Sequence, residues 1–365
     1  MNSEYRKPGR VPFSPGLGSA GNLRAIGCLL GAFLLGGALS GCGGPVAGAG
    51  PSVQLLNVSY DPTRELWRDL NGQFIEDYRT RTGVEVSIKQ SHAGSSSQAR
   101  AVIDGLDADV VTLALWSDTD AIRKRGLIKS GWEERLPNRS LPYFSTIVFV
   151  VRHGNPKQIK DWPDVVKPGV VVITPNPKTS GNGKLSFLAA WGSVIRAGGS
   201  EEKARDFIKR LYSQTPVLET GARGATTTFA QRGIGDVHLT WENEAHLEVQ
   251  ESGGDLEIVY PSTSIQAEPY VAVVDVNVDR KGTRAVAEAY LKSLYTERGQ
   301  ETIARHFYRP IDERVRVKHA ESFPRLDLFP ITVVAPSWDA AQEKFFADGG
   351  VFDTIYRPGN APTGR

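Results

Sequence analysis

GVVVITPNPKTSGNGKLSFLAA, residues 169–190, decides the reading of the chain. The β-branched run Val170–Thr174 predicts a buried strand. Pro175 and Pro177 stop it and hold the following residues extended. Ser180-Gly181-Asn182-Gly183 then opens a segment with Leu185, Leu188, Ala189 and Gly192 at helical spacing. A strand that delivers a Gly/Ser turn onto a helix start leaves several backbone N–H groups unpaired, the makings of an anion site. Taken alone, such a turn reads as an ordinary strand-to-helix loop, so the weight falls on whether other turns point to the same place.

Two others have the same form. Upstream, Val53–Ser59 predicts a first strand. Asp61-Pro62 starts a helix that carries Leu66, Leu70, Phe74 and Tyr78 and ends at Gly83. Val84–Gln90 alternates as a second strand, and Gly94-Ser95-Ser96-Ser97 follows, with Ser95 and Gln98 spaced as a capping box. Asp109–Leu115 predicts a buried strand leading to a helix from Trp116-Ser117-Asp118 to Gly126. Downstream of Thr146–Arg152, another strand, comes the opening motif and a helix over Glu201–Tyr212. Thr220–Ala225 is the third Gly-rich helix start. Asp236–Trp241 is a strand feeding Glu242-Asn243-Glu244 into a helix. Ile258–Tyr260 and Tyr270–Val276 read as strands, and Thr283–Leu294, Thr302–Phe307 and Trp338–Phe346 as helices. Strands alternating with helices predict an α/β fold.

The chain has 365 residues, which suits two lobes, and its apolar and charged fractions of 40% and 23% are those of a globular protein. The net charge of +2 owes its sign to the N-terminus. Arg6, Lys7, Arg10 and Arg24 stand there against Glu4. Without them 39 bases face 40 acids, about −1, so nothing suggests a basic face for nucleic acid. After the basic start, Ala25–Leu39 is apolar and too short for a bilayer span, as in the core of an export signal. Leu39-Ser40-Gly41-Cys42 resembles the lipobox of bacterial lipoproteins, in which Cys42 would be acylated. Residues 1–42 are thus expected to be a signal peptide and 43–52 a flexible spacer, with the protein held on the outer face of the membrane. Cys28 lies in the apolar run, so removal of the signal leaves neither a disulfide nor a Cys-based metal site.

Catalytic motifs fail one by one. A P-loop ending at Gly183-Lys184 would need Gly at 178 and Ser or Thr at 185, where Lys178 and Leu185 stand. There is no G-x-S-x-G elbow. The six histidines show no i,i+4 pair and no His-x-Glu pattern, and Glu242 and Glu244 point to different faces of a helix. What remains is donors: three turns, the Ser180 hydroxyl and the Trp241 indole N–H. Of these only the hydroxyl can also accept, so the set suits a fully deprotonated oxyanion.

These residues carry a family resemblance. QLLNVSYDPTREL (Gln54–Leu66), VITPNPKTSG (Val172–Gly181), GARGATTTF (Gly221–Phe229) and RGIGDVHLTWENEA (Arg232–Ala245) resemble the sulfate-binding proteins of bacterial ABC importers, across Val53 to about Asp353. The resemblance implies an α/β, two-lobed periplasmic-binding-protein fold of type II-like form, hinged around a ligand cleft. We expect residues 53–151 with 268–365 as lobe I and 152–267 as lobe II. It implies backbone donors at Ser95, Gly181, Asn182 and Ala222, a hydroxyl donor at Ser180 and an indole donor at Trp241. Tyr60, Asp61, Gly94, Lys184 and Arg223 would support them. The family usually has Gly at Asn182, where Asn tolerates a left-handed conformation, and Arg at Lys184, whose fork Lys cannot reproduce. The implied function is capture of sulfate or thiosulfate for an ABC permease by a monomer with no cofactor, metal or catalytic residue. The rival readings are a carrier of another oxyanion such as molybdate, or an exported hydrolase acting on sulfated or phosphorylated substrates.

Overall fold

The structure, a computed structural model, describes residues 52–356. The export signal, Cys42 and the spacer read from the sequence lie outside the described residues, apart from Ser52, which begins the first strand. β1 (Ser52–Tyr60) is followed by α1 (Arg64–Thr82), which buries Leu66, Leu70 and Phe74 at steps of four. Gly83, at φ 71°, closes α1 by donating its N–H to Arg79 O. β2 (Glu85–Ala93) pairs parallel with β1 from Ser52↔Glu85 to Tyr60↔Ala93. α2 (Ser95–Ile103) crosses over to β3 (Val110–Leu113), parallel to β1 on its other side, and α3 (Trp116–Lys124) follows. After the short α4 (Pro137–Ser140) and β4 (Tyr143–Phe144), the chain enters β5 (Ile147–Arg152).

β5 belongs to a second sheet. After α5 (Trp162–Val165) come β6 (Val172–Ile173), α6 (Gly181–Arg196), α7 (Glu201–Ser213) and the short α8 (Ala222–Thr226). β7 (Val237–Trp241), α9 (Glu242–Glu251), β8 (Leu256–Val259) and β9 (Thr263–Ile265) complete this half. The sheet order is β6-β7-β5-β8, with β6 parallel and β5 antiparallel to β7. The predicted strand over Val170–Thr174 shrinks to two residues because its flank is satisfied elsewhere. The Val171 N–H donates to the Asp236 carboxylate at 2.8 Å, and Val171 O accepts from the Asp236 N–H at 2.8 Å.

The chain returns through β10 (Tyr270–Val273), antiparallel to β3, which makes the first sheet β10-β3-β1-β2. This strand stops short of the predicted Val276 because Asp275 opens α10 (Asp275–Lys281). α11 (Arg284–Ser293) and α12 (Glu297–Arg305) follow, the latter starting a turn earlier than predicted because the Thr296 hydroxyl caps Gly299 N at 3.1 Å. β11 (Arg309–Pro310) pairs with β4, and α13 (Glu313–Lys318) follows it. β12 (Asp327–Phe329) then pairs with β9, and α14 (Trp338–Ala341) and α15 (Val351–Ile355) end the described chain.

The two crossings between sheets lie side by side. Ser145 and Ala267 exchange N–H···O bonds of 2.9 Å each, immediately before β5 and shortly before β10. Two features differ from the expected lobe limits. Residues 147–151 pair inside the second sheet. The C-terminal segment also packs there: Phe345 and Phe346 lie 5.4 and 5.2 Å from the Phe187 ring of α6, and Phe352 lies 5.2 Å from Tyr212 of α7. Aromatic burial, not chain order, decides where that segment goes.

Candidate functional site

The three Gly-rich turns meet. A Cβ on Gly94 would collide with Thr179 O and stand 3.0 Å from Thr220 O, so the β2–α2 turn is wedged against both of the others. A Cβ on Gly181 would stand 2.5 Å from Ala114 Cβ and 3.2 Å from Ser95 Cβ. One on Gly221 would overlap Asp61 Oδ2 and lie 3.7 Å from Gly94 N. These glycines are needed for close approach of backbones; none of the three has a positive φ. The Thr179 hydroxyl ties two turns together by donating to Thr220 O at 2.8 Å.

Ser95, Gly181, Asn182 and Ala222 occupy the first positions of α2, α6 and α8, where N–H groups have no carbonyl one turn back to receive them. Ser180 caps α6, its Oγ accepting from Gly183 N at 3.4 Å, which leaves its own proton free to donate. Asn182 sits within α6 and has no positive φ, so its backbone needs no left-handed tolerance to point the N–H outward.

The predicted capping box at Ser95 does not form. Ser95 Oγ donates to Asp118 Oδ2 at 2.6 Å and accepts from Ala114 N at 3.0 Å, while Gln98 Nε2 donates to Ser59 O and Ser91 Oγ. Ser96 Oγ donates to the other Asp118 oxygen at 2.9 Å. Asp118 therefore fixes the first two residues of α2. Lys184, one turn into α6, reaches Asp118 Oδ1 at 3.4 Å with both side chains buried. Lys replaces the expected Arg as a single point charge on that carboxylate.

On the other flank Arg223 joins the two halves. Its Nη2 donates to Glu65 Oε2 of α1 at 2.6 Å, and its Nε lies 3.0 Å from Glu244 Oε2 of α9. Burial pushes the Glu244 carboxyl up to about 8, against the pull of Arg223. Asp61 accepts from Arg64 Nη2 at 2.8 Å. Lys184 and Arg223, both next to the turns, are thus already matched by carboxylates, Asp118 and Glu65.

Trp241 completes the set at the end of β7. Its ring is fully buried against Tyr60, with centroids 5.2 Å apart, and Tyr60 meets Tyr143 OH at 3.4 Å through its own hydroxyl. Burial raises the Tyr60 phenol well above its usual pKa, so it stays neutral. Trp241 Nε1 has no hydrogen-bond partner among the described residues. An indole N–H buried unpaired is costly, so its lack of a partner calls for an explanation. The sequence reading missed Asp118, Glu65 and Glu244. Their signal was faint: three carboxylates scattered at helix starts, with partners far away in the chain.

Residues 67–309 match the family described as bacterial extracellular solute-binding protein. The chain is a bacterial extracellular solute-binding protein. It is 56% identical over 305 residues to the sulfate-binding protein of Salmonella typhimurium, covering 83% of this chain and 93% of that one. It is 49% identical to the thiosulfate-binding protein of Pseudomonas aeruginosa, covering 89% and 99%. Among solved structures, the sulfate-binding protein SubI from Mycobacterium tuberculosis H37Rv superposes with a TM-score of 0.74 at 29% identity, covering 80% of this chain and 99% of that one. Among the described residues of this solute-binding protein, no helix is long and apolar enough to cross a membrane, and no cluster of His, Cys, Asp and Glu could hold a metal ion.

Proposed function

We propose that this solute-binding protein captures sulfate, with thiosulfate as a second ligand, and hands it to an ABC permease without catalysing a reaction. The observation that carries the reading is the meeting of three helix-start turns, with a buried, unpaired Trp241 N–H on a ring packed against Tyr60, the residue before Asp61, which itself abuts Gly221. Backbone N–H groups of Ser95, Gly181, Asn182 and Ala222, the Ser180 hydroxyl and the Trp241 indole act as the donors. Tyr60, Asp61, Gly94, Lys184 and Arg223 hold them in place. Hydrogen bonds to a charged group contribute roughly 1.5–3 kcal/mol each. Six of them, less the cost of association, allow micromolar binding, about −8 kcal/mol. Thiosulfate is included because a relative at 49% identity is a thiosulfate-binding protein.

Selectivity follows from the same inventory. Phosphate near neutral pH retains a proton that needs an acceptor, and a site of donors leaves it unpaired. We divide the protein at the Ser145–Ala267 crossing. Residues 52–145 and 268–326 form one lobe, and 146–267 with 327–356 form the other. The anion then bridges Ser95 of the first lobe and Gly181, Ala222 and Trp241 of the second, and binding favours closure. Export, with Cys42 as a lipid anchor, completes the reading.

A calorimetric panel of sulfate, thiosulfate, molybdate and phosphate on the protein from Ser52 onward tests it. Sulfate is expected to bind orders of magnitude more tightly than phosphate. Trp241→Phe is expected to weaken sulfate binding by about 1–3 kcal/mol through one lost donor. Equal affinity for phosphate, or an unchanged Trp241→Phe protein, would overturn the reading.

A further inference from the structure

Asn182 offers the ligand more than its backbone. The side chain is buried at the second position of α6. Its Oδ1 accepts from Ser186 Oγ at 3.0 Å, one turn further on, and its Nδ2 has no hydrogen-bond partner among the described residues. Ser186 Oγ also lies 3.5 Å from Leu239 O, which sets this face of α6 over β7. The start of α6 lies at the same end of the sheet as the end of β7, because β6, which leads into α6, runs parallel to β7. One helical turn back from Ser186 is about 5.4 Å, and two residues on from Leu239 is about 6.7 Å. Both steps run toward the same end of the sheet, so the Asn182 side chain lies on the side toward Trp241, whose Nε1 is likewise buried without a partner among the described residues.

We propose that the Asn182 carboxamide donates directly to the bound anion and biases the site toward an all-oxygen tetrahedral anion over thiosulfate. The proposal rests on the anion-binding reading above. The orientation of the amide follows from Ser186, whose single proton has Asn182 Oδ1 as its shorter acceptor; the reversed amide would turn an oxygen toward the anion. Specificity follows from counting. Six donors spread over four ligand atoms leave a lightly served corner, where thiosulfate can place its large terminal sulfur, a weak acceptor. A seventh donor beside Trp241 leaves only one of the four positions singly served instead of two, so more orientations of thiosulfate waste two N–H groups that sulfate satisfies.

The test is calorimetry of sulfate and thiosulfate on the wild type, Asn182→Gly, Asn182→Asp and Ser186→Ala, with thermal melts of each protein without anion to establish folding. Asn182→Gly is expected to weaken sulfate about tenfold or more and thiosulfate about threefold or less, narrowing the ratio between them. Asn182→Asp, an isostere that puts a negative oxygen where the donor was, is expected to abolish measurable sulfate binding. Ser186→Ala is expected to narrow the same ratio in the wild type and to change nothing in the Asn182→Gly background. If Asn182→Gly stays folded and binds both anions within twofold of wild type, the amide is not a donor. If it weakens both equally, the amide donates but does not discriminate, and the specificity claim falls. A wild type that binds neither anion overturns the underlying reading instead.

Discussion

Gly181→Ala is the sharpest test of the convergence of the turns. The new Cβ would lie 2.5 Å from Ala114 Cβ and 3.2 Å from Ser95 Cβ. Carbon atoms in contact need about 3.5–4.0 Å, so the two halves must separate by about 1–1.5 Å at this point. Neither partner can swing aside, since each Cβ is fixed to the backbone of an element end. Over-packing of this kind costs about 1–3 kcal/mol. Ala114 follows β3 and Gly181 opens α6, so the clash falls on the closed form and is absent once the lobes part. Sulfate affinity should drop about 5- to 150-fold. The upper part of that range is favoured because Ser95 and Gly181 lose their shared aim at the anion. Without anion the melting temperature should stay level or rise slightly, since Ala suits a helix better than Gly. Gly72→Ala is the control: in α1 an added Cβ meets nothing within 4 Å, and affinity should not change. Calorimetry at fixed ionic strength reads the binding. A folded Gly181→Ala protein with sulfate affinity within twofold of wild type would refute the close approach on which the site depends.

Three further outcomes are expected. Arg309 grips Glu242 with two 2.7 Å bonds in a buried pair, so Arg309→Met leaves an unpaired carboxylate and should cost about 3–5 kcal/mol in urea melts at pH 7. Burial already raises the Glu242 pKa, so protonation at pH 5 should shrink that deficit; a deficit that grows on acidification would contradict the assignment. His246 stacks on Phe307 at 4.1 Å, and burial, with Arg309 nearby, holds its pKa down to about 4 against 6.5 for the free side chain. Its stabilising contribution is therefore complete above pH 6.5 and lost as pH falls toward 4. This is worth about 1 kcal/mol by pH 5 after discounting for partial exposure, and His246→Phe should flatten that acid slope in denaturant titrations. Lys178 Nζ donates to Phe346 O, Ala347 O and Asp353 Oδ2 at 3.0, 3.1 and 2.8 Å. Lys178→Met should cost about 1–2 kcal/mol and speed proteolytic clipping of the C-terminal segment; unchanged clipping would show that the aromatic contacts hold it alone.

The alternation of strands and helices, the three Gly-rich turns and the donor-only inventory were all legible locally. Each depends on residues within one turn or strand of each other, and the long matching stretches carried the family. Where prediction slipped, a distant partner had intervened. Val171 failed to extend β6 because the Asp236 carboxylate, more than sixty positions on, took its N–H, while the Val170 N–H turned back to Lys167 O. Ser95 gave up its cap for Asp118, whose carboxylate binds it across a crossover. The C-terminal segment went to the second half for a related reason, since the Phe345–Phe352 aromatics pack on α6 and α7 whatever their place in the chain.

Residues 169–190 by themselves determined that a strand ends before Pro175, that Ser180 precedes a helix, and that N–H groups there lie free. Those facts follow from proline geometry and from the four unpaired donors at any helix start. Tertiary structure alone decided that Gly94, Gly181 and Gly221 press their backbones together, that Asp118 and Lys184 lock the turns, and that the Asn182 and Trp241 N–H groups are buried without partners among the described residues. A hydrogen-bond donor can be read from its residue type, but its direction is set by contacts between segments far apart in the chain.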